Sequence, residues 1–263
     1  MIEIDITGCN KDYLCVDVCP YGFMFEKDDE GYPFVDKAKS EKYCIDCWQC
    51  IAICPKGVVS SPGLKPEDLK KTGSKDIPSF DSIIDFIHAR RSYRKFKIES
   101  VPEDLIEKWL DIARWSPTAS NSQKVNYIVV KKRETVSEIT EIMMKWLKEE
   151  GNYPEIIDAW EKGSDILLRD APHLLITTLP KDYFWNMTDA ATALSYLELS
   201  GKSLGLGTCW AGFFTRAAQS YKPLIEKLNL PENHIVAGAL MFGYPVYKFG
   251  KVPDRKQISL QYI

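Results

Sequence analysis

Apolar positions in the first 36 residues recur at short period. Ile2, Ile4 and Ile6 alternate with Glu3 and Asp5 as a half-buried strand would, and Phe23-Met24-Phe25 and Tyr32 to Val35 flank the turn-rich Lys27 to Gly31 as the arms of a hairpin. Regularity then lapses at Ser60-Ser61-Pro62-Gly63, and Pro66, Gly73 and Pro78 keep it broken apart from a helical turn expected at Pro66 to Lys71. Beyond residue 80 the period lengthens to that of helices. Ile83, Ile84 and Ile87 share one face of a helix over Asp81 to Arg90, and Ser100-Val101-Pro102-Glu103 reads as a capping box opening a helix that carries Leu105, Ile106, Trp109, Leu110 and Ala113 and stops at Ser116-Pro117. Further helices are expected at about 135–149, 155–169, 189–204 and 216–228, with strands at Tyr127 to Val130, Leu174 to Thr178 and His234 to Phe242. Helices and strands mix without a strict βαβ rhythm, so the fold class expected for the larger part is α+β. The breakers divide the chain into a first module at 1–60, a linker at 61–79 and a second module at 80–263.

The 263 residues, 45% hydrophobic and 27% charged, suffice for one sizeable core plus a smaller module. No stretch approaches the roughly 18 uninterrupted apolar residues of a membrane helix. The opening Met1-Ile2-Glu3-Ile4-Asp5 lacks the basic-then-apolar profile of a signal peptide, so a cytoplasmic protein without a membrane partner is expected. Charge divides unevenly: residues 1–60 carry 6 Lys or Arg against 11 Asp or Glu, whereas the remainder carries 28 against 26. That acidic first module argues against nucleic acid; it suits a basic redox partner or a solvated face.

Seven of the eight cysteines lie between Cys9 and Cys54, which argues for metal ligation over a chain-wide disulfide framework. Cys44, Cys47, Cys50, Cys54 and Pro55 form a Cys-x2-Cys-x2-Cys-x3-Cys-Pro run, the spacing that ligates iron–sulfur clusters in bacterial ferredoxins. An internal repeat places Cys9, Asp12, Cys15, Cys19 and Pro20 on these five at an offset of 35 residues, with Gly22 on Gly57. Zinc would need four ligands per ion in two separated pairs, whereas here three or four cysteines crowd into each loop. Residues 1–60 resemble the two-cluster bacterial ferredoxin module. The resemblance implies that Cys44, Cys47 and Cys50 with Cys19 hold one [4Fe-4S] cluster, and that Cys9 and Cys15 with Cys54 hold the other. Asp12 stands where the second cysteine of the first run belongs. Either its carboxylate ligates the fourth iron, or the site is a [3Fe-4S] cluster; in both cases it should be labile, with a shifted potential. Trp48 reads as a packing residue.

Within the second module, Arg90-Arg91-Ser92-x-Arg94 offers guanidinium forks and a hydroxyl suited to a phosphate. That run, followed by Ser116-Pro117-Thr118-Ala119-Ser120-Asn121-Ser122-Gln123, by Gly205-Leu206-Gly207-Thr208-Cys209-Trp210-Ala211-Gly212-Phe213 and by Gly243-Tyr244-Pro245, resembles the FMN-dependent nitroreductase family over residues 80–263. The resemblance implies a mostly antiparallel sheet flanked by helices and a homodimer binding FMN at its interface. Arg90, Arg91, Ser92 and Arg94 would meet the phosphate, ribityl chain and ring. Arg255 would also contact the phosphate, with Lys251 a second candidate. Pro117, Thr118, Ala119, Ser120 and Asn121 would lie against the flavin of the partner subunit, and main-chain groups of Ala211 and Gly212 at the flavin edge near N5.

Two other motifs carry less. Gly201-Lys202-Ser203 resembles the tail of a P-loop, but Tyr196 occupies the required glycine position; Gly205-Leu206-Gly207 follows a helix and lacks the third glycine of a dinucleotide fingerprint. His88, His173 and His234 are scattered and read as structural, and Cys209 as a buried inert thiol. The expected protein is therefore a flavin and iron–sulfur oxidoreductase. Single electrons from a donor protein or NAD(P)H would pass through two clusters to FMN, which would reduce a small nitroaromatic, quinone or flavin-like acceptor, with no catalytic acid–base side chain. The alternatives are an electron-transfer adaptor relaying to a partner protein, or a redox sensor.

Overall fold

The computed structural model describes residues 2–263; Met1, part of the opening segment read above, lies outside the described residues. Two compact units emerge. One runs to Pro78 and takes in Ser120–Ser122, and the other comprises Ser79–Ala119 and Gln123–Ile263.

In the first unit, β1 (Glu3–Ile4) pairs antiparallel with β4 (Val59–Ser60), and β2 (Phe25–Lys27) with β3 (Pro33–Val35) in the expected hairpin. The alternation that predicted a strand reaching Ile6 is cut short, and Ile6 lies in a turn, exposed. Short helices α1 (Leu14–Asp17), α2 (Lys37–Tyr43) and α3 (Gln49–Ile53) complete the unit. The Asp36 carboxylate caps α2 by accepting from the Lys39 N–H at 2.7 Å. A small core of Ile2, Cys15, Cys50, Ile51 and Val59 places two cysteines inside. Pro66–Asp68 forms a 3-10 turn where a helical turn was expected.

The second unit is a sheet between two helical layers. Strands β5 (Asn126–Val130), β6 (His173–Pro180), β7 (Gly207–Trp210) and β8 (His234–Gly243) lie in the order β5-β6-β8-β7, every pair antiparallel. The helices are α4 (Phe80–Ala89), α5 (Glu103–Leu110), α6 (Arg133–Glu150), α7 (Pro154–Glu161), α8 (Asn186–Ser203), α9 (Gly212–Ser220) and α10 (Lys222–Leu228). Side chains alternate across β8 as the pleat requires. Ala239 and Met241 face a core with α6 and α9, while Leu240 and Phe242 face one with α5 and α8. Trp109 of α5 is fully buried there, donating its indole N–H to the Leu197 carbonyl at 2.8 Å.

Several expected boundaries move. Pro102 occupies the N-cap of α5 and no side chain caps it, so Ser100 does not complete a capping box. The helix expected to reach 169 ends at Glu161, because Gly163, Arg169 and Asp170 all take positive φ and the Asp165 carboxylate holds the following turn through the N–H groups of Leu168 and Asp170. The helix expected over 216–228 splits at Tyr221, with Pro223 in the first turn of α10. Strand β7 was not anticipated. Tyr93 packs over Gly207, where a Cβ would come within 2.9 Å of the ring, and the Tyr93 N–H donates to the Thr208 carbonyl at 2.8 Å. The arginine run is thereby laid along the edge of the sheet. Among the described residues, no helix is long and apolar enough to cross a membrane.

Candidate functional site

The 35-residue repeat extends to the backbone. Lys11 and Asp46, then Tyr13 and Trp48, occupy equivalent positions and all four are left-handed, at φ 60, 48, 59 and 55°. Helices α1 and α3 begin directly after Tyr13 and Trp48. Non-glycine residues at positive φ are uncommon and point to an imposed loop geometry. Turns of this kind direct successive N–H groups into a concavity that favours anions, thiolates included. The Lys11 N–H reaches the Cys9 sulfur at 3.4 Å.

All eight cysteines are free thiols. Cys19, Cys44, Cys47 and Cys50 line one small cavity, whose wall includes Ile2 and Trp48. Trp48, read above as packing, is 42% exposed. Burial pushes the Cys50 thiol up to about 12, and the neighbouring Cys47, Cys19 and Cys44 add to the shift. Burial likewise pushes Cys15 to about 11, with Cys54, Cys9 and Asp12 as its charged neighbours. These neighbourhoods set Cys19 beside Cys44, Cys47 and Cys50, and Cys54 beside Cys9, Asp12 and Cys15. Such thiols stay protonated at neutral pH unless a metal displaces the proton. Among the described residues, no three His, Cys, Asp or Glu side chains converge tightly enough for a single metal ion. At the repeat position of Cys47, the Asp12 carboxylate is exposed and accepts from the Leu14 N–H at 3.2 Å.

In the second unit the arginine run separates onto different partners. Arg90 Nη1 donates to Glu198 Oε1 at 2.9 Å, and Glu198, itself buried, also accepts from the Trp210 indole at 3.2 Å. Arg91 Nη1 donates to the Arg90 carbonyl at 2.7 Å, while its Nε and Nη2 are buried with no partner among the described residues. Orphaned guanidinium donors are costly unless an anion accepts from them. They border a cavity of about 210 Å³ lined also by His88, Lys202, Phe249 and Lys251. Lys202 Nζ donates to the Tyr93 hydroxyl at 3.0 Å. The residues present thus fit a phosphate. Lys251 lies at this cavity; Arg255 is exposed and does not line it.

Ser92 bridges Thr208 of β7, and Arg94 lines a second cavity, of about 410 Å³, with Arg169, Cys209, Trp210, Gly212 and Arg216. The Ala211 N–H donates to the Ala239 carbonyl at 2.9 Å, leaving Gly212, exposed in the first turn of α9, as the main-chain donor at this edge. Burial pushes the Cys209 thiol up against the lowering pull of Arg94 and Arg169, consistent with the inert thiol expected there.

In the loop over Pro117 to Asn121, the Ala119 N–H donates at 3.1 Å to Asp189, a buried carboxylate of α8 that also accepts from the Tyr183 hydroxyl at 2.7 Å. Thr118 Oγ1 accepts from the Gln123 N–H at 3.1 Å. Ser120 and Asn121 are left-handed and group with the first unit. Glu198, Lys202, Arg169, Arg216 and Asp189 escaped the sequence reading. Only Lys202 sat within a recognised motif, where a missing P-loop glycine led away from it.

The nitroreductase family model matches residues 87–244, and the 4Fe-4S dicluster domain model matches residues 7–59. Both resemblances drawn from the sequence are borne out. FMN reductase (NAD(P)H) of Bacillus subtilis (strain 168) is 24% identical over 186 residues, 69% of this chain and 73% of that protein. Ferredoxin 7Fe of Hydrogenibacillus schlegelii is 37% identical over 60 residues, 23% of this chain and 69% of that protein. Among solved structures, a nitroreductase with bound FMN from Desulfitobacterium hafniense DCB-2 aligns with a TM-score of 0.59 at 21% identity, covering 70% of this chain and 100% of that one. That last likeness is one of fold, and it agrees with the antiparallel sheet between helices expected from the sequence.

Proposed function

This chain belongs to the nitroreductase family, and on that premise we propose that it is a homodimeric oxidoreductase in which single electrons from a donor protein or NAD(P)H reach FMN through two iron–sulfur clusters and leave on a small organic acceptor. Bound clusters exchange one electron at a time, and bound FMN supplies two-electron hydride chemistry. The chain's residues hold, orient and shield these groups within a ferredoxin domain at 1–60, a linker at 61–79 and a flavin domain at 80–263.

Cys19, Cys44, Cys47 and Cys50 hold a [4Fe-4S] cluster in the four-thiol cavity. Cys9, Cys15 and Cys54 hold the other cluster, for which we favour three irons. Asp12 already accepts from the Leu14 N–H through one oxygen, and a relative of this module is named Ferredoxin 7Fe. In the flavin domain, Arg91, Lys202 and Lys251 take the phosphate. Ser92 and Arg94 face the ribityl chain and ring, and Arg90, paired with Glu198, supports them from behind. The Gly212 N–H, strengthened by the positive end of α9, stabilises negative charge at the ring edge. Pro117 to Asn121 would close over the flavin of the partner subunit, anchored through Ala119 by Asp189. We retain Arg255 as a phosphate ligand only in the assembled dimer.

The observation that carries this reading is the presence, in one chain, of a four-thiol cavity and a cavity whose buried guanidinium has no protein partner. The neighbouring cavity of about 410 Å³, lined by Arg94, Trp210 and Gly212, offers room for the flavin ring. Anaerobic titration of the purified protein with reduced ferredoxin and with NADPH, following cluster and flavin bleaching separately, tests it. The expected result is bleaching of both chromophores and reoxidation by a quinone or nitroaromatic. Protein purified with iron and FMN in place but inert to both donors would refute the reading.

A further inference from the structure

We propose that the four-thiol cluster is the exit of the electron path, and that Asn121 is the residue that positions it, by holding the 44–47 loop against the segment assigned to the flavin. This rests on the reductase reading above and adds to it the order of the two clusters.

The chain leaves the second unit for three residues, Ser120–Ser122, which belong to the first, while Ala119 and Gln123 on either side belong to the second. Ser120, Asn121 and Gln123 are left-handed, at φ 51, 52 and 48°. Backbone of this kind is unfavourable outside glycine and persists where contacts hold it. The contact here is specific. Asn121 Nδ2 donates to the Ile45 carbonyl at 3.0 Å and to the Asp46 carbonyl at 3.1 Å, so both amide hydrogens are spent on the two residues between Cys44 and Cys47. The amide thus serves the cluster loop. Ala119 lies at most about 7 Å from Asn121 along the chain, so a flavin against residues 117–119 has this loop as its neighbour.

In a trans peptide the N–H points away from the C=O, so the two peptides that accept from Asn121 turn the N–H groups of Asp46 and Cys47 to the opposite side. Burial pushes the Cys44 thiol up, and a hydrogen bond from the Asp46 N–H opposes that shift. The Asn121 amide therefore polarises a peptide whose other end meets a ligating sulfur.

The internal repeat supplies the comparison. Asn10 and Lys11 occupy the positions of Ile45 and Asp46, 35 residues earlier. Their loop is tied to the β2–β3 hairpin instead: Lys11 Nζ donates to the Glu30 carbonyl at 2.7 Å, and the Tyr13 hydroxyl to the Gly31 carbonyl at 2.6 Å. Two loops of one backbone pattern therefore have different neighbours, and it is the 44–47 loop that meets the segment continuous with the flavin loop. Each transfer to the flavin oxidises the four-thiol cluster by one electron, and the cluster of Cys9, Cys15 and Cys54 refills it from the donor. Two transfers and one proton from solvent give the anionic reduced flavin.

The test uses two variants that tolerate left-handed backbone. Asn121→Asp keeps the shape but turns a donor into an acceptor facing two carbonyls, and Asn121→Gly removes the donor without adding charge. In anaerobic stopped-flow mixing of holoprotein with reduced ferredoxin, both variants should bleach their clusters at the parental rate while flavin reduction lags by at least about ten-fold. A potentiometric titration followed by paramagnetic resonance should show the four-iron cluster moved to a more negative potential in Asn121→Asp and the three-iron cluster unmoved. Slower cluster bleaching with the flavin keeping pace would overturn the proposal, by making this loop the inlet. A lag present in Asn121→Asp and absent from Asn121→Gly would also overturn it, as an effect of charge alone, and so would two potentials that move equally or not at all. Loss of iron or of FMN from both variants would do the same, by giving the amide a holding role. Parent holoprotein whose clusters bleach while its flavin stays oxidised would sink the reductase reading itself. A parent that reduces its flavin, matched by both variants, would sink only the order of the clusters.

Discussion

The cysteine loops and the cationic cavities build their chemistry over very different stretches of chain. Each loop draws three or four ligating groups from eleven consecutive positions, and one pattern of left-handed residues shapes both. The flavin-domain cavities instead join residues more than a hundred positions apart, as in the Arg90–Glu198 pair and the Lys202–Tyr93 hydrogen bond. A site of the first kind depends on local geometry, and the same left-handed pattern brackets Asp12 in one loop and Cys47 in the other. A site of the second kind exists only once the sheet and α8 have packed.

The largest effects should come from the crossed cysteines, because each removes a ligand from the cluster of the other loop. Cys54→Ser should lower iron from about seven to about four atoms per chain, and Cys19→Ser to about three. Iron and acid-labile sulfide assays read this directly, and loss of the cluster nearest in sequence instead would break the crossed assignment. One step smaller, Asp12→Cys should raise iron to about eight per chain and remove the three-iron paramagnetic resonance signal of the oxidised protein. The mirror change Cys47→Asp should lower iron to about six. Identical resonance spectra for Asp12→Cys and the parent would show that the asymmetry is not at this position.

On the long-range side, Lys202→Ala should weaken FMN binding by about ten-fold while leaving iron content unchanged, as expected for one charge-assisted contact to phosphate. Fluorescence of released flavin measures it, and unaltered affinity would remove Lys202 from the phosphate site. The smallest effect concerns pH. His173 is buried, its Nε2 accepting from the Val101 N–H at 2.9 Å and its Nδ1 lying 2.8 Å from the Lys131 carbonyl, and burial holds its pKa below the usual value. The unfolded chain therefore takes up the proton first. Stability of the flavin domain should be full above about pH 6.5 and fall as pH drops below it. His173→Gln should flatten that dependence in denaturant titrations, whereas an unchanged slope would place the titrating group elsewhere.

The same contrast governs how much was legible in the sequence. Cysteine spacing is a local property, so the two loops, the repeat and the Asp12 exception could all be read along the chain. The hydrophobic period located the major helices and three of the four strands of the central sheet. It missed β7, whose Gly207-Thr208-Cys209-Trp210 has no alternating pattern and which is a strand because it pairs with β8 and carries the backbone of Tyr93. Ser100 offered a plausible cap, but Pro102 took the N-cap position. Arg90 and Arg91 were found as a pair, yet nothing local distinguishes the guanidinium that Glu198 neutralises from the one left without a partner. That distinction arises from packing against α8 and the segment around Lys251.

The proposed route carries electrons to the flavin through the clusters. Anaerobic stopped-flow mixing of reduced ferredoxin with the parent and with Cys50→Ala, each loaded with FMN, tests it most directly. Cluster absorbance should bleach before flavin absorbance in the parent, and flavin reduction should slow by at least about a hundred-fold in the variant, as for loss of a principal electron path. Flavin reduction at the parental rate in Cys50→Ala would contradict it.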